Sequence, residues 1–300
     1  MDLRMLLGRM FIMSMKFVIA VATVLLTGLF SSASWSQSIT EDTAIELAAE
    51  AESSGPTFEE RLELAGNGDV NTQISLARDY LSGENGVPKQ PVAAARWLTT
   101  ASETGNAEAQ FLLANLLREG AKGLKANEKN AVTLYASAAD KGHIEAAYWA
   151  ADAYHYGKGV KTADIKAIEY YEKAADLGHV AAQNNLGLMY LQGKGVDRDL
   201  KTAFRLFNDT AKSGSSWGLN NLGGMYEMGW GTVKNTIRAL ELYQKSAAAG
   251  NVHGAGNMVR LRAVLEAAAR QRAVQQEIND AQFPGTEVET DPAADTSGNN

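Results

Sequence analysis

Gly142, Gly178, Gly214 and Gly250 stand 36 residues apart, and Gly105 and Gly68 continue the series backwards at spacings of 37. A fixed period of this length constrains a chain more than any single motif. Each unit is one small element that cannot bury its apolar face alone, and stacking the units buries a continuous core. Other positions keep the same phase. Twelve residues after the markers come Tyr80, Leu117, Tyr154, Tyr190 and Tyr226, and fifteen after come Gly83, Gly120, Gly157, Gly193 and Gly229. The longer spacings have a local cause. Two residues separate the paired glycines of the first two units (Gly83 and Gly86, Gly120 and Gly123). One separates them later (Gly157 and Gly159, Gly193 and Gly195, Gly229 and Gly231).

Each unit reads as two helices. In the stretch AAQNNLGLMYLQG, Leu186, Met189 and Tyr190 share one face, the spacing of an amphipathic helix. Gly193 and Gly195 stop that helix. In LKTAFRLFNDTAKSG, Ala203, Leu206, Phe207 and Ala211 form a stripe that ends at Gly214. Gly187 and Gly223 fall inside first helices, where each costs roughly 1 kcal/mol against alanine. Close approach of a neighbouring helix would account for them. The pairs Ala138-Ala139, Ala174-Ala175 and Ala247-Ala248 suit the same tight contacts. Nothing in this region alternates as a strand does.

The third unit, AAYWAADAYHYGKGVKTADIKAIEYYEKAADLG, and the fourth, AAQNNLGLMYLQGKGVDRDLKTAFRLFNDTAKSG, resemble the Sel-one-like repeat family, relatives of tetratricopeptide repeats. The resemblance covers residues 68–250 as five repeats. The first two units lack the Leu-Gly pair, and Thr232 stands where the family usually has valine. The resemblance implies an all-α fold, a right-handed superhelical solenoid of αα-hairpin repeats. It also implies protein–protein binding on the concave face.

The ends differ in character. Arg4, Arg9 and Lys16 precede FVIAVATVLLTGLF, an uncharged run from Phe17 to Phe30, and small residues follow. This is the pattern of a signal peptide over 1–36. The run of 14 is short for a spanning helix, which needs about 20 residues. A retained anchor is the alternative, and Met15 is an alternative start. The expected location is periplasmic or secreted. A polar segment, 37–57, leads into a partial capping repeat at 58–67 that reads as the second helix of a truncated unit. A capping helix is expected over 251–280, with Leu261, Leu265 and Ala268 covering the last repeat. The acidic remainder, 281–300, is too polar to offset the entropy of ordering. The net charge of −7 and the absence of a basic stripe exclude nucleic-acid binding by bulk electrostatics.

The stretch GSSWG, residues 214–218, is a literal G-x-S-x-G, the pattern of a serine-hydrolase nucleophile elbow. In phase it loses that meaning. Ser215 occupies the place of Asp69, Asn106, His143, His179 and Asn251, residue types suited to capping a helix N-terminus. Ser216 matches Val70, Ala107, Ile144, Val180 and Val252, and a helix rather than a strand precedes it. His143 and His179 share the capping position and are expected to cap rather than to bind metal. No H-E-x-x-H, Walker loop or S-x-x-K occurs. No enzyme activity, cofactor or metal is expected.

The family's motif places groove positions at offsets of 3, 6, 10, 13 and 14 after each marker glycine. This gives Phe111, Asn115 and Arg118 in unit two, and Tyr148, Asp152, His155 and Tyr156 in unit three. Unit four supplies Asn184, Leu188 and Gln192, and unit five Trp217, Asn220, Glu227 and Met228. Some of the aromatic residues have a second reading, as packing between neighbouring repeats. Trp230 is either a lid on the next helix or an exposed contact. The leading function is a non-enzymatic periplasmic scaffold whose partner is a protein or peptide. Its layout of signal segment plus repeats is similar to periplasmic repressors of the ExoR type, which hold a membrane sensor kinase inactive. That resemblance implies control of exopolysaccharide and motility. An accessory factor or enzyme of cell-wall metabolism and a secreted effector binding host proteins are the alternatives.

Overall fold

A computed structural model describes residues 56–282. The expected signal segment 1–36, almost all of the polar segment 37–57 and the tail after Gln282 lie outside the described residues. Twelve helices follow one another, with no β-strand among the described residues. Helix α1 (Phe58–Gly66) precedes five hairpins. These are α2 (Val70–Ser82) with α3 (Pro91–Glu103), α4 (Ala107–Glu119) with α5 (Glu128–Ala139), and α6 (Ile144–Tyr156) with α7 (Asp164–Asp176). Then come α8 (Val180–Gln192) with α9 (Leu200–Lys212) and α10 (Ser216–Met228) with α11 (Thr236–Ala248). Helix α12 (Val252–Gln282) closes the stack. The main helix contacts join chain neighbours, and α10 also touches α12. The fold is therefore an all-α solenoid in which each repeat is stabilised by those beside it.

The phase of the repeat is fixed by caps. All six residues one place after a marker glycine cap the helix that follows. Asp69, Asn106, His143, His179 and Ser215 each accept a hydrogen bond from the backbone N–H three residues on. Asn251 accepts from the N–H groups of His253 and Gly254. The two histidines use Nδ1 as the acceptor. Ser216 sits in the first turn of α10, and its carbonyl accepts a hydrogen bond from the Ser246 hydroxyl. No strand-to-helix elbow forms there.

The core runs as a seam of small and aromatic side chains. Tyr135, Tyr171 and Phe207 are fully buried, one per second helix, among alanines such as Ala147, Ala174 and Ala182. Gly187 and Gly223 do mark close approaches. A Cβ on Gly187 would lie 2.7 Å from the Phe207 ring, and one on Gly223 2.8 Å from the Tyr243 ring. The alanine pairs at 138–139 and 174–175 are buried. At 247–248 the expectation fails, because Ala248 is exposed. The buried residue in register there is Ser246, as Thr210 is one repeat earlier. The two hydroxyl residues face glycines, Ser246 meeting Gly254 and Thr210 meeting Gly218. Each hydroxyl occupies the space a Cβ would need.

The second glycine of each later pair does more than turn the chain. A Cβ on Gly195 would lie 2.8 Å from the backbone of Asp164, which opens the second helix of the preceding repeat. Gly159 meets Glu128 and Gly231 meets Leu200 in the same way. The turn of one repeat thus rests on the backbone of the repeat before it.

Candidate protein-binding face

The first helices of successive repeats are bonded to one another in a recurring pattern. Asn221 donates its side-chain N–H to Asn184 Oδ1 at 2.9 Å, and Asn257 donates to Asn220 Oδ1 at 3.0 Å. Beside this pattern, Asn185 donates to the Tyr171 hydroxyl on the second helix of the preceding repeat at 3.1 Å. Earlier in the stack aromatic rings replace the amides. Phe111 stacks on His143 with centroids 4.3 Å apart, and Tyr148 stacks on His179 at 4.6 Å. Each histidine also places Nε2 against a carboxylate of the preceding first helix, His143 on Glu108 at 3.1 Å and His179 on Glu145 at 3.3 Å. Because Nδ1 accepts the cap bond, the proton of the neutral ring is on Nε2, which donates to the glutamate. One side chain then caps its own helix and clips it to the helix before.

The expected groove residues separate into two groups. Most are tied into the stack. Phe111 and Tyr148 are half-buried between repeats. Asn115 accepts the Tyr135 hydroxyl at 2.6 Å. Asp152 and Asn184 are buried, Asp152 taking Lys158 Nζ at 2.7 Å and Asn184 accepting from Asn221. Arg118 lays its guanidinium 3.9 Å over the Trp149 ring, and His155 pairs with Asp164 at 3.1 Å. Leu188 packs against the cluster around Phe207 and Leu219. Asn220 is engaged with Asn257. The exposed group is smaller: Tyr156 at 58%, Trp217 at 52% and Met228 at 55%, together with Gln192. Trp230 packs on the Phe207 cluster, with Arg198 5.6 Å above its ring.

The face continues onto α12, which the sequence reading did not include. His253 approaches Trp217 at 5.4 Å, and Arg260 forms a two-pronged pair with Glu227 at 2.8 and 2.7 Å. The signal was available: Asn257 follows Gly250 by seven residues, as Asn221 follows Gly214.

The Arg260 bonds, with that of the Tyr243 hydroxyl, hold the Glu227 carboxyl below its ordinary value. Burial, and then the Glu227 bond, push the Tyr243 phenol up. A depressed carboxylate stabilises the fold above its unfolded value and loses that contribution as pH falls through the folded one. The wild-type protein should therefore lose stability through this group as pH falls through and below the ordinary carboxylate range, by an amount kept small because the exposed half of Arg260 is screened by water. Arg260→Ala should flatten that part of a thermal-melting profile. An unchanged acid limb would show that the pair does not fasten α12.

A cavity of about 40 Å³ lies among Arg118, Tyr135, Trp149, Asp152 and Lys158, far below the roughly 300–1,000 Å³ of small-molecule sites. A polar hollow of about 300 Å³ between α7, α8 and α9 is rimmed by exposed Glu172, Asp176 and Arg205. No cluster of three metal-ligating side chains occurs among the described residues. None of the described helices is long and apolar enough to cross a membrane.

Comparison with known proteins agrees with this geometry. The family model described as Sel1 repeat matches residues 71–106, 107–143, 144–179, 180–215 and 218–251. A protective antigen present in uropathogenic Escherichia coli strains, displaying an SLR fold, is 29% identical with a TM-score of 0.64. The match covers 75% of this chain and 52% of the antigen, so the chain spans about half of that protein. A Sel1 repeat protein from Oxalobacter formigenes is 28% identical with a TM-score of 0.59, over 71% of this chain and 83% of that one. No curated protein matches the sequence.

Proposed function

Because the chain belongs to the Sel1 repeat family, we propose that it is a non-enzymatic scaffold that holds another polypeptide along its first-helix face, outside the cytoplasm. The family's repeats are suited to protein–protein interaction. The observation that carries the reading is the division of the face. Tyr156, Gln192, Trp217 and Met228 stay exposed on helices whose other face residues are bonded into the stack. Aromatic anchors on a fixed surface lose little freedom on binding, which is how a few residues come to dominate an interface. The partner is the extracytoplasmic part of a membrane receptor. The sequence of residues 1–36 supports export, and the architectural resemblance to ExoR-type repressors supports a receptor that controls exopolysaccharide and motility.

The test is a chromosomal Tyr156→Ala/Trp217→Ala variant, with Ile165→Ala/Val233→Ala as an exposed control away from the face. Capture of the partner from envelope extract should fall at least about tenfold for the first pair and stay unchanged for the control. Exopolysaccharide and motility should shift toward those of the deletion strain. Unchanged capture overturns the face. Lost capture with unchanged exopolysaccharide and motility overturns the regulatory role and leaves the scaffold.

A further inference from the structure

Helix α12 is 31 residues long, while no other described helix exceeds 13. Its first part packs on repeat five, with Gly254 and Leu261 buried and Leu265 and Ala268 half-buried. From Ala269 to Gln282 every residue is exposed, a projection of about 20 Å at 1.5 Å per residue. A helix that short is marginal in water without a packed face. Its side chains supply one. Val264, Ala267, Gln271, Val274, Ile278 and Ala281 follow at steps of three and four, the a and d spacing of a two-stranded coil. All six are exposed, Val264 and Val274 at 54% each. No charged side chain of the segment falls on this seam.

We propose that this seam is the contact between two copies of the chain, joined through their α12 helices in antiparallel orientation. Charge selects both the occupant and the direction. Arg270 and Glu277 border the seam at the same heptad position, seven residues apart. In an antiparallel pair like positions face each other, so Arg270 meets the partner's Glu277 and Glu277 meets the partner's Arg270. In a parallel pair they would face glutamines at the opposite border, Gln275 and Gln282, and neither charge would find its opposite across the seam, Arg270 keeping only Glu266 of its own helix 3.9 Å away. The seam is also self-complementary in size. Val264 lies opposite the partner's Ala281, Ala267 opposite the partner's Ile278, and Gln271 opposite the partner's Val274.

The full chain should sediment as a dimer, and Ile278→Asp as a monomer with its helix content retained. Glu277→Arg should weaken the dimer several-fold, and Arg270→Glu/Glu277→Arg should restore it. The chain has no cysteine, so engineered ones report cleanly. A mixture of Val264→Cys and Ala281→Cys chains should cross-link. Val264→Cys alone should not, because the two copies of that residue would stand about 25 Å apart. A monomer at every concentration, or a dimer that survives Ile278→Asp, overturns the proposal. Self-cross-linking of Val264→Cys, or no rescue by the double charge swap, overturns the orientation.

Discussion

Replacing Gly231 with alanine should destabilise the protein by about 2–5 kcal/mol, against about 1–2 kcal/mol for the same change at Gly214. Both glycines have positive φ, +67° and +79°. A left-handed conformation costs an alanine about 1–2 kcal/mol at either place. The difference lies in what the new methyl group meets. At Gly214 nothing lies within 4 Å. At Gly231 it would overlap the carbonyl oxygen of Leu200, a backbone atom at the start of α9 in the preceding repeat. Overpacking adds about 1–3 kcal/mol, and a backbone neighbour cannot rotate away. Against a total stability of roughly 5–15 kcal/mol the loss is large. Denaturant unfolding of the two variants measures it. A difference below about 1 kcal/mol would mean that the turn does not bear on its neighbour.

The second large effect is a rescue. Gly218→Ala should cost about 2–3 kcal/mol, because its Cβ would overlap the Thr210 hydroxyl and lie 2.8 Å from the backbone N of Ala211. Adding Thr210→Ala should return the share of that loss owed to the hydroxyl, about 1–2 kcal/mol, while the backbone contact with Ala211 remains. The double variant recreates an arrangement the protein already uses: Ala138 with Ala146 and Ala174 with Ala182, all buried at the same two repeat positions. Thr210→Ala alone should cost about 1 kcal/mol, since it removes the bond from the hydroxyl to the Phe207 carbonyl. The expected coupling of about 1–3 kcal/mol is what contacting residues show. Simple additivity in a double-mutant cycle would refute the size-for-size exchange.

The repeat was legible because marker glycines and caps are backbone requirements, fixed to single positions and visible without any partner. Asp69, Asn106, His143, His179, Ser215 and Asn251 differ chemically, yet each offers an acceptor to the same N–H, so phase alone identified them. Contacts between repeats were harder to read. The role of Gly195 against Asp164 depends on a neighbour 31 residues back, and the local turn already explained the glycine. Ala247-Ala248 looked like the earlier alanine pairs but stands one residue out of register, a slip the 36-residue period already carried and the contact of Ser246 with Gly254 explains. On the candidate face, the offsets name positions on the first helices without distinguishing free side chains from bonded ones. Asp152 and Trp217 qualify equally by position. Lys158 neutralises the first inside the stack, while the second keeps half its surface in water.

Since the substantial contacts of a helix reach no further than its immediate neighbourhood in the chain, injury to this molecule should remain local. Fraying around α2 would leave the region bearing Trp217 intact. A partner gripping several repeats would splint the whole row, so occupancy would be felt as mechanical stiffness rather than as movement of any one part.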